Sequence, residues 1–234
     1  PCCITWAAIA VRSSAMNIAG KEIRIFGDTS KAAPIVYLHT FRQEGEKVWK
    51  QCGKISTRRF ILVEIGGVDW NKDMSPWASE KLFAEDTACT GGGEEWLQVL
   101  TSQIIPAVEK DFTVTRRCIA GYSLAGLFAL WAAYRTDVFD GVISGSGSFW
   151  YPGFIEFADS HALMGQLSNV YFSLGDRESH VGNQTLQCVE DNTRWLFGHY
   201  QALGINTTFE LNTGNHYMQT ELRIAKGIRW MLRQ

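Results

Sequence analysis

Short apolar segments alternate with longer segments of helical periodicity from about residue 22 to the end of the chain. Residues 22–26 alternate in polarity and predict an exposed strand. Most of the other short segments are apolar throughout, as expected for strands that are covered on both faces. The predicted strands of this second kind are residues 34–39, 60–65, 118–120, 142–143 and 170–174, and a further strand is predicted at residues 207–211.

Helical periodicity fills the intervals between the predicted strands. One apolar stripe covers residues 96–108, with an expected kink at Pro106, and a second covers residues 186–203. Residues 124–134 are apolar on every side, which predicts a buried helix. Strands that alternate with helices in this way predict an α/β fold, with a mostly parallel central sheet and helices on both faces.

Composition narrows the class of protein. A length of 234 residues suits one domain, expected over residues 16–234 after an N-terminal extension at residues 1–15. The net charge of -2 gives no reason to expect nucleic acid or an anionic membrane as a partner, and no apolar run approaches the roughly 20 residues that span a bilayer. Six cysteines without a C-x-x-C pair favour reduced thiols in a cytoplasmic protein.

The strongest chemical signal is the segment GYSLAG at residues 121–126, between a predicted strand and the buried helix. A serine at such a turn lies on a tight, strained elbow that needs small residues two positions to either side. Gly121 and Ala125 supply them. The turn is expected to expose the Ser123 hydroxyl and to direct the Leu124 N–H toward a developing oxyanion. Ser123 is therefore the predicted nucleophile.

A serine hydroxyl is a poor nucleophile without a base, so one of the five histidines must serve it. In a doubly wound hydrolase the order along the chain is serine, acid, histidine, and the histidine follows the last strand. His216 lies there, between the strand at 207–211 and the terminal helix. We expect it within hydrogen-bond distance of the Ser123 hydroxyl, roughly 2.6–3.2 Å, or looser without ligand. His39 ends a strand and is interpreted as a structural hydrogen-bond partner beside the site.

The acid is expected in the loop after the strand at 170–174, where two carboxylates compete. Glu178 reaches further out and is favoured. Asp176 directly follows a glycine, so its side chain would instead tie the turn, and it remains the alternative acid. The acid would hold His216 in the correct tautomer and stabilise the imidazolium.

These segments resemble the alpha/beta-hydrolase superfamily, and within it the putative esterase family of siderophore esterases, feruloyl esterases and esterase D. The resemblance covers roughly residues 20–234 and rests on GYSLAG, GDRE at 175–178, GNH at 214–216 and VISGSGSFW at 142–150. It implies a single catalytic domain that cleaves carboxylic esters without a metal or organic cofactor. Some siderophore esterases of this group resemble Ser–His dyads, so the acid is the assignment that the resemblance supports least.

The resemblance also implies a second oxyanion donor in the loop after an early strand. That loop often reads His-Gly-x in the family, and here it reads His39-Thr40-Phe41. The Phe41 N–H is the expected donor, with Thr40 as the second choice. Residues 147–169, which follow the strand after the elbow helix, are too few for a large lid domain, so an open site is expected.

Aromatic side chains are expected to bind the substrate, because they bury large areas with few rotatable bonds. The candidates are Tyr122, Trp70, Trp77 and Trp150. They suit a bulky or aromatic acyl group or a siderophore-like ester, and that small-molecule ester is the expected partner. The predicted function is a serine esterase that works through an acyl-enzyme on Ser123. The alternatives are an acyltransferase with the same acyl-enzyme and a catalytically silent binding protein, and the oligomeric state stays open.

Overall fold

The computed structural model describes residues 14–81 and 87–234. Within these residues, eight strands form one sheet: β1 Ser14–Ile18, β2 Lys21–Phe26, β3 Ala33–His39, β4 Ile61–Gly66, β7 Val114–Tyr122, β8 Gly141–Gly145, β9 Asn169–Gly175 and β10 Asn206–Asn212. Two short strands, β5 Ala78–Ser79 and β6 Cys89–Thr90, pair with each other. The helices are α1 Gly45–Lys54, α2 Trp70–Asp73, α3 Gly93–Val99, α4 Ile105–Glu109, α5 Leu124–Ala132, α6 Phe154–Ser160, α7 Gln184–Gln187, α8 Val189–Ala202 and α9 Thr220–Met231.

The strand order of the large sheet is β1-β2-β4-β3-β7-β8-β9-β10. β2 runs antiparallel to β1 and β4, and all other neighbours are parallel. The carboxyl ends of the parallel strands therefore meet at one edge, where the loops after β3, β7, β9 and β10 come together. The predicted α/β fold with a mostly parallel sheet is confirmed.

Helices cover both faces of this sheet. Successive residues of a strand point to opposite faces, so Tyr37 and Leu38 of β3 enter different apolar clusters. The cluster around Leu38 contains side chains of α1 and α9, and the cluster around Tyr37 contains side chains of α3, α4, α5 and α8. Every residue of α5 is buried, as its uniformly apolar sequence predicts.

Several predicted boundaries are wrong. β7 begins at Val114, because the polar residues before Cys118 continue the strand and pair with β3. The predicted helix over 186–203 divides into α7 and α8 at Cys188. The helix over 96–108 contains a π-helical turn, Leu100–Ile104, directly before the segment with Pro106.

Two further predictions concern the N-terminal boundary of the domain and the segment where a lid domain would lie. β1 begins at Ser14, so the strand crosses the predicted boundary at residue 16, and the rest of the expected extension lies outside the described residues. The domain division stays a prediction. Between β8 and β9, the chain forms the short helix α6. No helix in the described ranges is both long and apolar enough to cross a membrane.

Candidate active site

Ser123 lies on a sharp turn between β7 and α5. Its backbone has φ 59° and ψ -124°, a region that L-residues rarely adopt. A Cβ atom at Gly121 would lie 2.3 Å from the carbonyl oxygen of Ala125, and one at Gly126 would lie 2.8 Å from the Ser144 hydroxyl. The small residues around the serine are therefore required by close backbone packing, as expected for a nucleophile elbow.

His216 and Glu178 meet above the carboxyl ends of β9 and β10. Their side chains are joined by a 2.7 Å contact between His216 Nδ1 and Glu178 Oε2. Because a carboxylate accepts, Nδ1 carries the proton and Nε2 is left as the basic nitrogen. Asp176, the alternative acid, instead accepts the Gly214 N–H at 2.8 Å and so ties the two loops together.

Two further side chains and a backbone N–H hold the other oxygen of Glu178. The Ser146 hydroxyl donates to Oε1 at 2.7 Å, the Gly175 N–H at 2.7 Å and the Arg223 guanidinium at 2.8 Å. Arg223 is 1% exposed and forms a buried ion pair with the carboxylate. The sequence analysis assigned no role to either side chain. Ser146 lies in the segment VISGSGSFW, whose serines it did not distinguish, and α9 brings Arg223 to the site only in the folded chain.

Opposing effects act on the acidity of Glu178. Burial alone would raise its pKa, but the hydrogen bond and charge of His216, with the donors Ser146 and Gly175, outweigh burial and lower the pKa below its usual range. Glu178 is therefore ionised at neutral pH, as a residue that orients an imidazole must be.

The expected hydrogen bond between the Ser123 hydroxyl and His216 is not formed. Among the described residues, its hydrogen-bond partner is Ser148, with 3.3 Å between the two hydroxyl oxygens. Ser123 and His216 nevertheless line the same two cavities. In a ligand-free site, such a bond is often long and tightens only when substrate binds.

The oxyanion donors differ in their availability. The Thr40 N–H, our second choice, donates to the Ile65 carbonyl at 3.0 Å within the sheet, so it is not free for substrate. The Phe41 N–H makes no hydrogen bond within the described part of the chain. The Leu124 N–H is the first of α5, where no preceding helical turn supplies an acceptor. Phe41 and Leu124 therefore remain the candidate donors.

Two cavities of about 470 Å³ each flank Ser123 and His216. Phe41, Trp70 and Tyr122 line the first, and Trp150 lines the second. Trp77, expected among the substrate contacts, lines neither of these cavities, and its indole N–H donates to the Pro152 carbonyl at 2.9 Å. Its ring packs against the aromatic side chains of Tyr151, Phe154 and Phe157.

Tyr122 makes structural hydrogen bonds in addition to lining the first cavity. Its hydroxyl donates to the His216 carbonyl at 2.8 Å and accepts a hydrogen bond from the Arg223 guanidinium at 3.0 Å. The tyrosine next to the nucleophile thus fixes the backbone of the histidine loop.

His39 is buried near the site and does not act as a base. Its Nε2 accepts the Trp96 indole N–H at 3.1 Å. Burial lowers the pKa of His39 to about 3, so the ring is neutral at physiological pH. Its position agrees with a structural role.

The fold and this constellation define an alpha/beta hydrolase: a serine on an elbow after a central strand, then an acid and a histidine in loops after later strands. The chain belongs to the family described as Putative esterase, whose sequence model matches residues 51–198.

Individual relatives show how far this likeness extends. A Bacillus subtilis (strain 168) protein described as "Uncharacterized protein YbbA" is 32% identical over 123 residues, which cover 50% of this chain. The match spans 49% of that protein, about half its length. The siderophore hydrolase EstA from Aspergillus nidulans has a TM-score of 0.72 at 22% identity, over 96% of this chain and 95% of that one. An IroE-like serine hydrolase from Shewanella oneidensis has a TM-score of 0.77 at 15% identity, over 96% and 80%. At these identities the solved structures show a shared fold.

Proposed function

We propose that this protein hydrolyses carboxylic esters with bulky or aromatic acyl groups through an acyl-enzyme on Ser123. The observation that carries the proposal is the ionised, buried Glu178 bonded to His216 beside a serine on a strained elbow. A buried carboxylate with four partners is costly to assemble, and orienting an imidazole toward a nucleophile accounts for it.

In the first half-reaction, the Ser123 oxygen attacks the ester carbonyl and His216 Nε2 takes the hydroxyl proton. The carbonyl oxygen becomes an oxyanion that the N–H groups of Leu124 and Phe41 stabilise. The intermediate collapses as the bond to the leaving oxygen breaks, and His216 passes its proton to the departing alcohol. The acyl group is then bound to Ser123.

In the second half-reaction, water attacks the acyl-enzyme and gives a proton to His216. The bond to the Ser123 oxygen breaks, the proton returns to that oxygen, and the carboxylic acid leaves. The His216 side chain is 29% exposed, so solvent reaches the base. Water is therefore available at the base as the acyl acceptor.

The substrate class is inferred from the cavity walls. Phe41 is 58% exposed and stacks edge-on against Trp70 at 5.1 Å between ring centroids, so an aromatic surface faces the first cavity. Trp150 offers a second one on the other side of the nucleophile. Two aromatic walls fit a large ester with a ring in its acyl part, and a siderophore-like ester has this size.

The test is labelling by a fluorophosphonate together with hydrolysis of 4-nitrophenyl esters of increasing acyl size. Ser123→Ala should abolish labelling and lower kcat by about a thousandfold, because only binding and the oxyanion donors remain. Ser148→Ala is the matched control, since it removes a neighbouring hydroxyl and should keep the label. Labelling of folded Ser123→Ala, or activity within tenfold of the parent, would refute the assignment. A preference for acetyl over aromatic acyl esters would refute the substrate class alone.

A further inference from the structure

The loop that carries the Phe41 N–H is attached to one buried carboxylate. Glu64, on the adjacent strand β4, is 1% exposed. Its Oε1 accepts the Thr40 hydroxyl at 3.0 Å and the Gly45 N–H at 2.7 Å. One oxygen atom therefore binds both ends of the segment 40–45, and Phe41 lies between the two attachment points.

Arg24 completes this attachment. Its guanidinium donates to Glu64 Oε2 at 2.6 Å and to the Gln43 carbonyl at 3.0 Å. The arginine thus neutralises the buried charge and holds the loop at a third point. Gln43 has a positive φ of 60°, a conformation that a non-glycine residue keeps only when its surroundings enforce it.

The space around Glu64 leaves the loop little freedom. A Cβ atom at Gly45 would lie 2.5 Å from the Glu64 carboxyl carbon, so the backbone contacts the carboxylate directly. The N–H groups of Thr40, Arg42 and Gly45 all donate to protein oxygens. Among the described residues, the N–H groups of Phe41, Gln43 and Glu44 make no hydrogen bond, and that of Phe41, directly after Thr40 and β3, is left for a substrate oxygen.

We propose that Glu64 is a positioning residue that fixes the Phe41 N–H as the second oxyanion donor, with Thr40 as its link to the loop. This inference rests on the proposed function. Oxyanion donors act because they are held in place before charge develops, so the loop must not relax when the negative charge appears. Thr40 stands where the His-Gly-x loop of the family has glycine, and the hydrogen bond of its hydroxyl to Glu64 gives this residue a defined role.

The charge of Glu64 would by itself oppose an oxyanion nearby. The ion pair with Arg24, at 2.5 Å between the closest nitrogen and oxygen, removes this cost. The carboxylate therefore accepts two strong hydrogen bonds from the loop without adding net negative charge at the site. A neutral amide would accept more weakly and hold the loop less firmly.

The experiment compares Thr40→Val, Thr40→Ser and Glu64→Gln with the parent enzyme. Removing an oxyanion donor outright costs about 100-fold or more in kcat, so a donor that is only loosened should cost about tenfold. We expect this loss in Thr40→Val and Glu64→Gln, with KM within about twofold of the parent because ground-state binding is unchanged. Thr40→Ser keeps the hydroxyl and should restore kcat.

A ligand comparison separates positioning from a general loss of structure. A trifluoromethyl ketone adds to the serine and forms an oxyanion, whereas the carboxylic acid product does not. Thr40→Val and Glu64→Gln should weaken the ketone by the same factor as kcat, about tenfold, and leave the affinity for the product acid unchanged. Equal weakening of both ligands would overturn the positioning role.

Glu109→Gln is the matched control. Glu109 also accepts a hydrogen bond from a hydroxyl, that of Tyr37, and pairs with an arginine, Arg117, in the first half of β7 and away from the elbow. Arg117 precedes Ser123 by six positions, which is roughly 20 Å along an extended strand. This variant should lose stability without losing kcat.

The outcomes also separate this inference from the proposed function. A parent that hydrolyses esters while Thr40→Val and Glu64→Gln keep kcat within twofold refutes the role of Glu64 alone. A parent with neither ester hydrolysis nor fluorophosphonate labelling refutes the proposed function, and the role of Glu64 in positioning fails with it.

Discussion

The buried ion pair between Arg223 and Glu178 makes a quantitative prediction for stability. The two side chains are 1% and 4% exposed and lie 2.8 Å apart. With about 4 Å between charge centres and an effective dielectric constant of about 20, their attraction is about 4 kcal/mol. Arg223→Met removes this attraction and leaves a carboxylate without its counter-ion, a change that typically costs about 3–5 kcal/mol.

A double-mutant cycle tests whether this cost comes from the stranded charge. Glu178→Gln removes the charge itself, so adding it to Arg223→Met should restore part of the lost stability. We expect the double variant to be more stable than the sum of the single changes by about 2–3 kcal/mol. The measurement is the free energy of unfolding in urea at pH 7 for all four proteins.

The pH dependence gives a second check on the same pair. Arg223→Met should raise the pKa of Glu178 relative to the parent, because the variant loses a permanent positive charge 2.8 Å from the carboxylate while burial stays the same. Protonation of the carboxylate removes the uncompensated charge, so the deficit of Arg223→Met relative to the parent should shrink as the pH falls through the pKa of Glu178 in the variant. Additive single effects within about 0.5 kcal/mol, together with a deficit that does not change with pH, would refute the reasoning.

Two further predictions concern other side chains near the site. Glu178→Gln should lower kcat for ester hydrolysis tenfold or more while the protein stays folded. Asp176→Asn should mainly lower the free energy of unfolding in urea, by about 1 kcal/mol, because it weakens the turn hydrogen bond from the Gly214 N–H. Burial lowers the pKa of His39 to about 3, so the unfolded chain binds more protons than the native one below about pH 6.5. The free energy of unfolding should therefore fall by about 1.6 kcal/mol between pH 6.5 and 5. His39→Gln should remove this part of the pH dependence.

Each of these has an outcome that contradicts it. An inactive, folded Asp176→Asn with a nearly normal Glu178→Gln would transfer the orienting role to Asp176. If both variants keep kcat within tenfold, the enzyme works as a Ser–His dyad. For His39, an unchanged slope of stability against pH in His39→Gln would show that another group controls the acid range.

Much of this molecule follows from the sequence alone. Apolar segments of strand length alternate with helical stripes, and burial on both sides of a parallel sheet requires that pattern. Ser123 could be identified because an elbow needs small residues at fixed spacing. The candidates His216 and Glu178 followed from the same logic, since the carboxyl ends of parallel strands meet at one edge of the sheet.

Tertiary structure decided what depends on contacts between distant segments. Arg223 and Glu64 have no local signature, and they matter because α9 and β4 bring them against Glu178 and the Thr40 loop. Sequence could not show that the sheet uses the Thr40 N–H or that Trp77 packs away from both cavities. Periodicity reports which face of an element is apolar, whereas the partner of a polar group is fixed only when the whole chain has packed.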